Sequence, residues 1–144
     1  NKITTFLWYQ SQAAEAAQFY CSVFPISKIT DSSPTSTSFE IEGQRFIAFN
    51  GGSHYKLNPC ISLFVSCHTQ AEVDALWKRL TADGGRESMC GWLVDKYGLS
   101  WQIVPVQLLE LLNDPDPVKA NRVVQCMLGM QKLDIAALQR AHGG

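Results

Sequence analysis

The run ITTFLWYQSQAAEAAQFYCSVFP, residues 3–25, decides the fold. Its first part, ITTFLWY (3–9), is β-branched and aromatic and reads as a strand. The next part, SQAAEAAQFYCSVF (11–24), changes period. Its alanines favour helix, and Ala13, Ala16, Ala17, Phe19, Tyr20 and Phe24 make one helical apolar face. Pro25 ends that helix, because proline carries no N–H to continue the ladder.

The same order returns further along. CISLFVSC (60–67) reads as a strand and TQAEVDALWKRL (69–80) as a helix, with Thr69 as N-cap and Glu72 completing a capping box. DGG (83–85) stops it. A shift of 57 positions lays Thr5 on Ser62, Phe6 on Leu63, Glu15 on Glu72, Phe19 on Leu76 and Tyr20 on Trp77. After the first helix come SKIT, a short strand candidate, a polar loop over residues 31–36, and STSFEIEGQRFIAFN (36–50), two strands turning at Glu42-Gly43. After the second come RESMCGWLVD (86–95), one or two strands, the turn KYG, and the strand LSWQIVP (99–105). Each half reads strand, helix, then about three strands, as an internal duplication would.

The rest is helical. VQLLELLN is a short helix, and DPDP (114–117) breaks the chain with Asp116-Pro117 as an N-cap and first-turn pair. Val123, Val124, Met127, Leu128 and Met130 give a second helix its apolar face. Asp134 caps a third, which ends at Gly143. The expected class is α+β. One domain spans 1–144, with a first βαβββ module over 1–52, a second over 58–105 and a helical tail over 106–144.

Composition removes several functions. The net charge is −1 and no basic run occurs, so nothing favours nucleic acid. No apolar stretch approaches the roughly 20 residues of a membrane span. The five cysteines, Cys21, Cys60, Cys67, Cys90 and Cys126, include no C-x-x-C pair. That pattern predicts reduced thiols, a cytoplasmic setting and no structural zinc. No secretory signal is read at the start, which begins at Asn1.

The runs LWYQSQAAEAAQFYCSVFP, IEGQRFIAFNGG, CGWLVDKYGLSWQIVP and DPDPVKANRVVQCMLGM together resemble the PhnB-like branch of the vicinal oxygen chelate (glyoxalase/bleomycin-resistance) superfamily. Members of that branch often carry the label demethylubiquinone 3-methyltransferase. The resemblance spans nearly the whole chain. It implies paired βαβββ modules whose mixed sheets curve into a cup, usually in a homodimer. One departure is the connector over residues 31–36, which is short beside the long loop common in the family.

The resemblance also implies where a metal would sit. In metal-using relatives each module gives one His, Glu or Gln from its first strand and one from its last. Counting back from Phe19-Tyr20 reaches Thr5, and the same count from Leu76-Trp77 reaches Ser62. The turn DKYGLSWQ places the last position on Gln102; in the first module's last strand Asn50 is the polar candidate. Thr, Asn, Ser and Gln supply no charge and little donor strength, so no metal and no cofactor are expected. His54, His68 and His142 have no ligand spacing.

Strand alternation puts Ser100, Gln102 and Val104 on one face and Leu99, Trp101 and Ile103 on the other. The apolar set should pack on helices, leaving Gln102 in the cup beside Thr5, Leu7 and Tyr9. There its amide bonds a ligand, or only a neighbour such as Ser62 or Tyr9. Trp92 and Tyr97 flank the final turn and are expected at the mouth, while Trp8, Trp77 and Trp101 read as packing residues. The expected function is binding of a small organic ligand. The competing readings are a metal-dependent enzyme of the glyoxalase or dioxygenase type, the methyltransferase of the family label, and a structural interaction domain. No G-x-G turn of a cofactor-binding fold is present to support methyl transfer.

Overall fold

The computed structural model describes residues 1–144. The chain divides into two compact units, Asn1–Asn58 and Pro59–Gly144.

In the first unit β1 (Thr5–Tyr9) leads into α1 (Ala13–Val23), and β2 (Ser27–Ser32), β3 (Ser36–Ile41) and β4 (Gln44–Asn50) follow as a meander. The sheet order is β1-β4-β3-β2, with β1 parallel to β4 and the other pairs antiparallel. α1 buries Ala13, Ala16, Ala17 and Tyr20, the helical face expected from the alanine spacing. Beneath it lie Leu7, Tyr9, Phe39, Phe46 and Ala48, all buried. Phe39 and Phe46 stack with centroids 5.1 Å apart. Glu42 and Gly43 both take positive φ, 48° and 82°, the backbone of a two-residue hairpin loop whose twist matches its strands.

The segment expected as a polar loop, residues 31–36, lies half in strands. β2 continues through Asp31 and Ser32, β3 begins at Ser36, and only residues 33–35 turn the chain, closed by Ser33 N–H to Ser36 O at 2.8 Å. Polarity hides the strand, because an edge strand with both flanks exposed needs no apolar alternation.

The second unit repeats the plan with β5 (Ser62–Cys67), α2 (Gln70–Thr81), β6 (Arg86–Glu87), β7 (Trp92–Val94) and β8 (Ser100–Pro105). Its order is β5-β8-β7-β6, again with the first and last strands parallel. Thr69 caps α2 through its hydroxyl, which accepts from Glu72 N–H at 3.1 Å, and the Glu72 carboxylate accepts from His68 N–H at 2.8 Å. α2 buries Val73, Trp77 and Leu80. Trp101, Ile103 and Leu93 are fully buried with them. The β7–β8 turn is built on buried Asp95. One carboxylate oxygen accepts from Tyr97 N–H (2.8 Å) and Leu99 N–H (3.1 Å), and the other from Trp101 Nε1–H (2.9 Å).

The tail belongs to this unit. α3 (Val106–Leu112), α4 (Pro117–Leu128) and α5 (Ile135–Gly143) close a second core of Val104, Leu108, Val123, Leu133 and Leu138. Asp116 and Asp134 cap α4 and α5 as expected. Gln70 ties the tail to α2, donating to Leu133 O at 3.0 Å and accepting from Ile135 N–H at 2.8 Å. Gly91, at φ 87°, lets the backbone pass Leu133, whose side chain would lie 2.8 Å from any Cβ there.

Asp95→Ala would remove the carboxylate that accepts from three N–H donors, two of those bonds buried. It should destabilise the protein by at least about 3 kcal/mol, read from the shift of the urea unfolding midpoint. A loss under about 1 kcal/mol would mean water replaces the carboxylate at no cost.

Candidate ligand-binding site

Each sheet has one face under its own helix and one face turned away from it. Strand pairing sorts the candidate residues between them, because residues paired across a sheet point to the same side. In the second sheet Gln102 pairs with Phe64 on one neighbour and Trp92 on the other. Phe64 is 49% exposed, whereas the alternate row of Leu93, Trp101 and Ile103 is at most 1% exposed. Gln102, Phe64, Trp92 and Ser62 therefore share the face turned away from α2, which the tail helices cover only at the Val104 end. Gln102 Nε2 donates to Ser62 Oγ at 3.0 Å, and its Oε1 accepts from no protein donor. Ser100, in the same row as Ser62, buries an Oγ with no partner. Tyr97 stands in the turn, half-buried, with Lys96 Nζ 5.4 Å from its ring centre.

The first unit corrects the expectation. Thr5, Leu7 and Tyr9 lie on the helix side of β1. Thr5 pairs with buried Phe46 and Leu7 with buried Ala48. The Tyr9 hydroxyl bonds that of buried Tyr20 at 2.9 Å. Asn50, opposite Tyr9, points the same way and caps α1: its Oδ1 accepts from Ala13 N–H at 2.8 Å, and its Nδ2 donates to Pro34 O at 3.3 Å. Gln12, the residue before the helix, makes no capping bond of its own, so Asn50 supplies it from another strand. These four residues lie on the α1 side of their own sheet, and none faces its open side.

The cause is a single residue. Three residues, 10–12, join β1 to α1, but only His68 and Thr69 join β5 to α2. Helix positions repeat at 57, as Tyr20 and Trp77 do, while the buried strand ends Tyr9 and Cys67 are 58 apart. A strand shifted by one residue turns every side chain to the other face. The true counterpart of Ser62 is Thr4. Leu7 matches Val65, so Ala48 matches Ile103 and Ile47 matches Gln102.

The same slip misplaced Trp8. It was expected in the core, but it stands half-buried on the helix-free face, edge-on to Phe49 at 5.3 Å and to Tyr55 at 5.0 Å. Its Nε1 donates to Gly52 O at 3.0 Å. Its ring covers Gly51 so closely that a Cβ would fall 2.1 Å from it. Phe6, 55% exposed, extends this aromatic row through Phe49 at 5.2 Å. Phe6, Phe49 and Tyr55 escaped the sequence reading, although the alternation in β1 carried the signal once parity was known.

At the four corresponding positions stand Thr4, Ile47, Ser62 and Gln102. One hydrocarbon, two hydroxyls and an amide do not fit a divalent cation, whose usual ligands are imidazole, thiolate and carboxylate. No three His, Cys, Asp or Glu side chains gather to hold a metal ion. Nor is a nucleophile prepared among the inner cysteines. Burial, then the Glu72 charge, push the Cys67 thiol up to about 12, and Cys90 Sγ donates to Met127 O at 3.5 Å.

Two βαβββ units, each with its first and last strands paired in parallel, define the glyoxalase/bleomycin-resistance class of fold. The model of the 3-demethylubiquinone-9 3-methyltransferase family matches residues 1–104, and the chain belongs to that PhnB-like family. A PhnB protein from Bacillus cereus is 32% identical, with a TM-score of 0.66 over 73% of this chain and 99% of that one. A protein from Pseudomonas aeruginosa shares the fold at 16% identity and TM-score 0.61, over 73% of this chain and 97% of that one. So does a glyoxalase/bleomycin resistance protein from Albidiferax ferrireducens, at 13% identity and TM-score 0.51, over 70% and 95% of the respective chains. No curated protein matched the chain.

Asn50→Ala removes the cap of α1 and should cost about 1 kcal/mol of stability, measured by urea unfolding. An unchanged midpoint would show that Gln12 or water caps the helix instead.

Proposed function

We propose that this protein binds a small organic ligand on the sheet face turned away from α2, with no metal, and that Gln102 takes one of the ligand's polar groups. The observation that carries this reading is the Gln102 side chain. Ser62 holds its Nε2 end, so the amide is oriented, and its Oε1 is left to accept from something outside the fold. Phe64 and Trp92, the partners of Gln102 on its two neighbouring strands, give that oxygen an apolar surround in which a ligand N–H or O–H would bind.

Methyl transfer, the activity named in the family description, draws no support from the geometry. Neither strand-to-helix turn, residues 10–12 or residues 68–69, contains a glycine, and each sheet holds a single parallel pair. A nucleoside methyl donor has no Gly-rich turn against which to lay its ribose and amino-acid end at either position. Binding without methyl transfer is therefore the reading we adopt.

The working form is a homodimer in the cytoplasm. Exposed Phe6 and Phe64 support a subunit contact, and five free cysteines support a reducing compartment. No helix is long and apolar enough to cross a membrane.

Native mass spectrometry of the protein purified from its own cells tests these points together. The expected spectrum is a dimer carrying an organic adduct and no zinc, iron or manganese. Gln102→Leu should keep the melting curve and lose roughly 2–10-fold in affinity for that adduct, the worth of one hydrogen bond. A stoichiometric metal, a monomer, or undiminished affinity in the variant would each remove the corresponding part of the proposal.

A further inference from the structure

The first unit contains a cavity of about 260 Å³ lined by Thr4, Thr30, Asp31, Ser38, Arg45 and Ile47, above Phe39 and Phe46. Thr4 and Ile47 are the counterparts of Ser62 and Gln102. The volume lies just below the roughly 300–1,000 Å³ of pockets for drug-sized ligands. A compact metabolite fits it better than an extended one.

The polar groups around this cavity are unusually free. Arg45 Nε is buried with no hydrogen-bond partner, and its Nη2 donates only to Asn1 O. No carboxylate pairs with Arg45. Glu40, opposite it in the sheet, pairs with Lys28 instead at 3.7 Å. Asp31 has no cationic partner either. A buried guanidinium N–H without an acceptor is costly, and such groups in native proteins commonly await a ligand or water.

The placement of Asp31 requires a defect in the strand. Ile29 pairs with Phe39 and Asp31 with Ser38, so Thr30 is an extra residue, a β-bulge. Regular pairing would keep Asp31 on the side of Ile29 and Phe39, the side that faces α1. The bulge turns Asp31 into the row of Ser38 and Ile47, on the cavity side. The same step places Thr30 in the lining. One wall thus presents a partly buried cation, and the exposed rim presents an anion.

We infer that this cavity binds a small zwitterion of the α-amino-acid type, its carboxylate on Arg45 and its ammonium on Asp31. Thr4, Thr30 and Ser38 hydroxyls complete the polar shell, and Ile47 receives a short apolar side chain. A guanidinium holds a carboxylate through two parallel N–H bonds, which orients the ligand as well as attracting it. A simple anion would leave Asp31 repelling it, and a simple cation would leave Arg45 unpaired. The inference goes beyond the reading of Gln102: it concerns a cavity within the first unit, and it names the class of ligand that this cavity takes and the residues that select it.

Calorimetry of the full chain with each common α-amino acid tests it, beside the matched carboxylic acids that lack the amine. At least one amino acid should bind saturably and more tightly than its carboxylic acid. Arg45→Gln should weaken that binding by at least about 30-fold. Asp31→Asn, a change at an exposed position, should weaken the amino acid about tenfold while leaving the affinity for the carboxylic acid undiminished or higher. Binding by no amino acid, or binding indifferent to both substitutions, overturns the inference.

Discussion

A parallel pair of strands cannot be closed by a tight turn, and both units of this protein are organised around that constraint. β1 lies beside β4, and β5 beside β8, so a crossover has to intervene, here a helix and two further strands. The helix covers one face of its sheet, and the meander brings the last strand back alongside the first. Everything chemical then depends on which face a residue occupies. The helix face is closed by Tyr20 in one unit and Trp77 in the other. The opposite face is where free polar groups remain.

Because strand side chains alternate, the number of residues between strand and helix controls that assignment. The first unit spends one more residue there than the second. Its helix stays in phase with the repeat while its strand moves out of phase. Tyr9 and Asn50 are consequently structural, one bonded to Tyr20 and the other to the start of α1. Trp8 and Phe6 take the open side. A second irregularity, the bulge at Thr30, works by the same rule and turns Asp31 toward Arg45. Both irregularities lie in the first unit, where single-residue changes in phase decide which side chains turn away from α1, with the topology held constant.

Much of the architecture was legible in the residues. The alanine face of α1, the capping box at Thr69, the Glu42-Gly43 hairpin and the Asp116 and Asp134 caps are local signals, and each is observed at the expected position. The facing of Gln102 was legible because β8 alternates without interruption and its apolar row is plain. The facing of the first-unit candidates was not, because their positions were counted from a helix across a connection of unknown length. Asp31 looked like loop because exposed edge strands lack a hydrophobic pattern.

The amino-acid sequence by itself determined the order of elements, the duplication, and the caps and turns. These depend on propensity, periodicity and chemistry within a few residues of one another. Tertiary structure decided the facing of β1, the capping of α1 by a strand residue 37 positions away, and the meeting of Arg45 with a bulged β2. Strand register is a property of two segments at once, and a one-residue change in either reverses the outcome. No local pattern could settle it before the strands were paired.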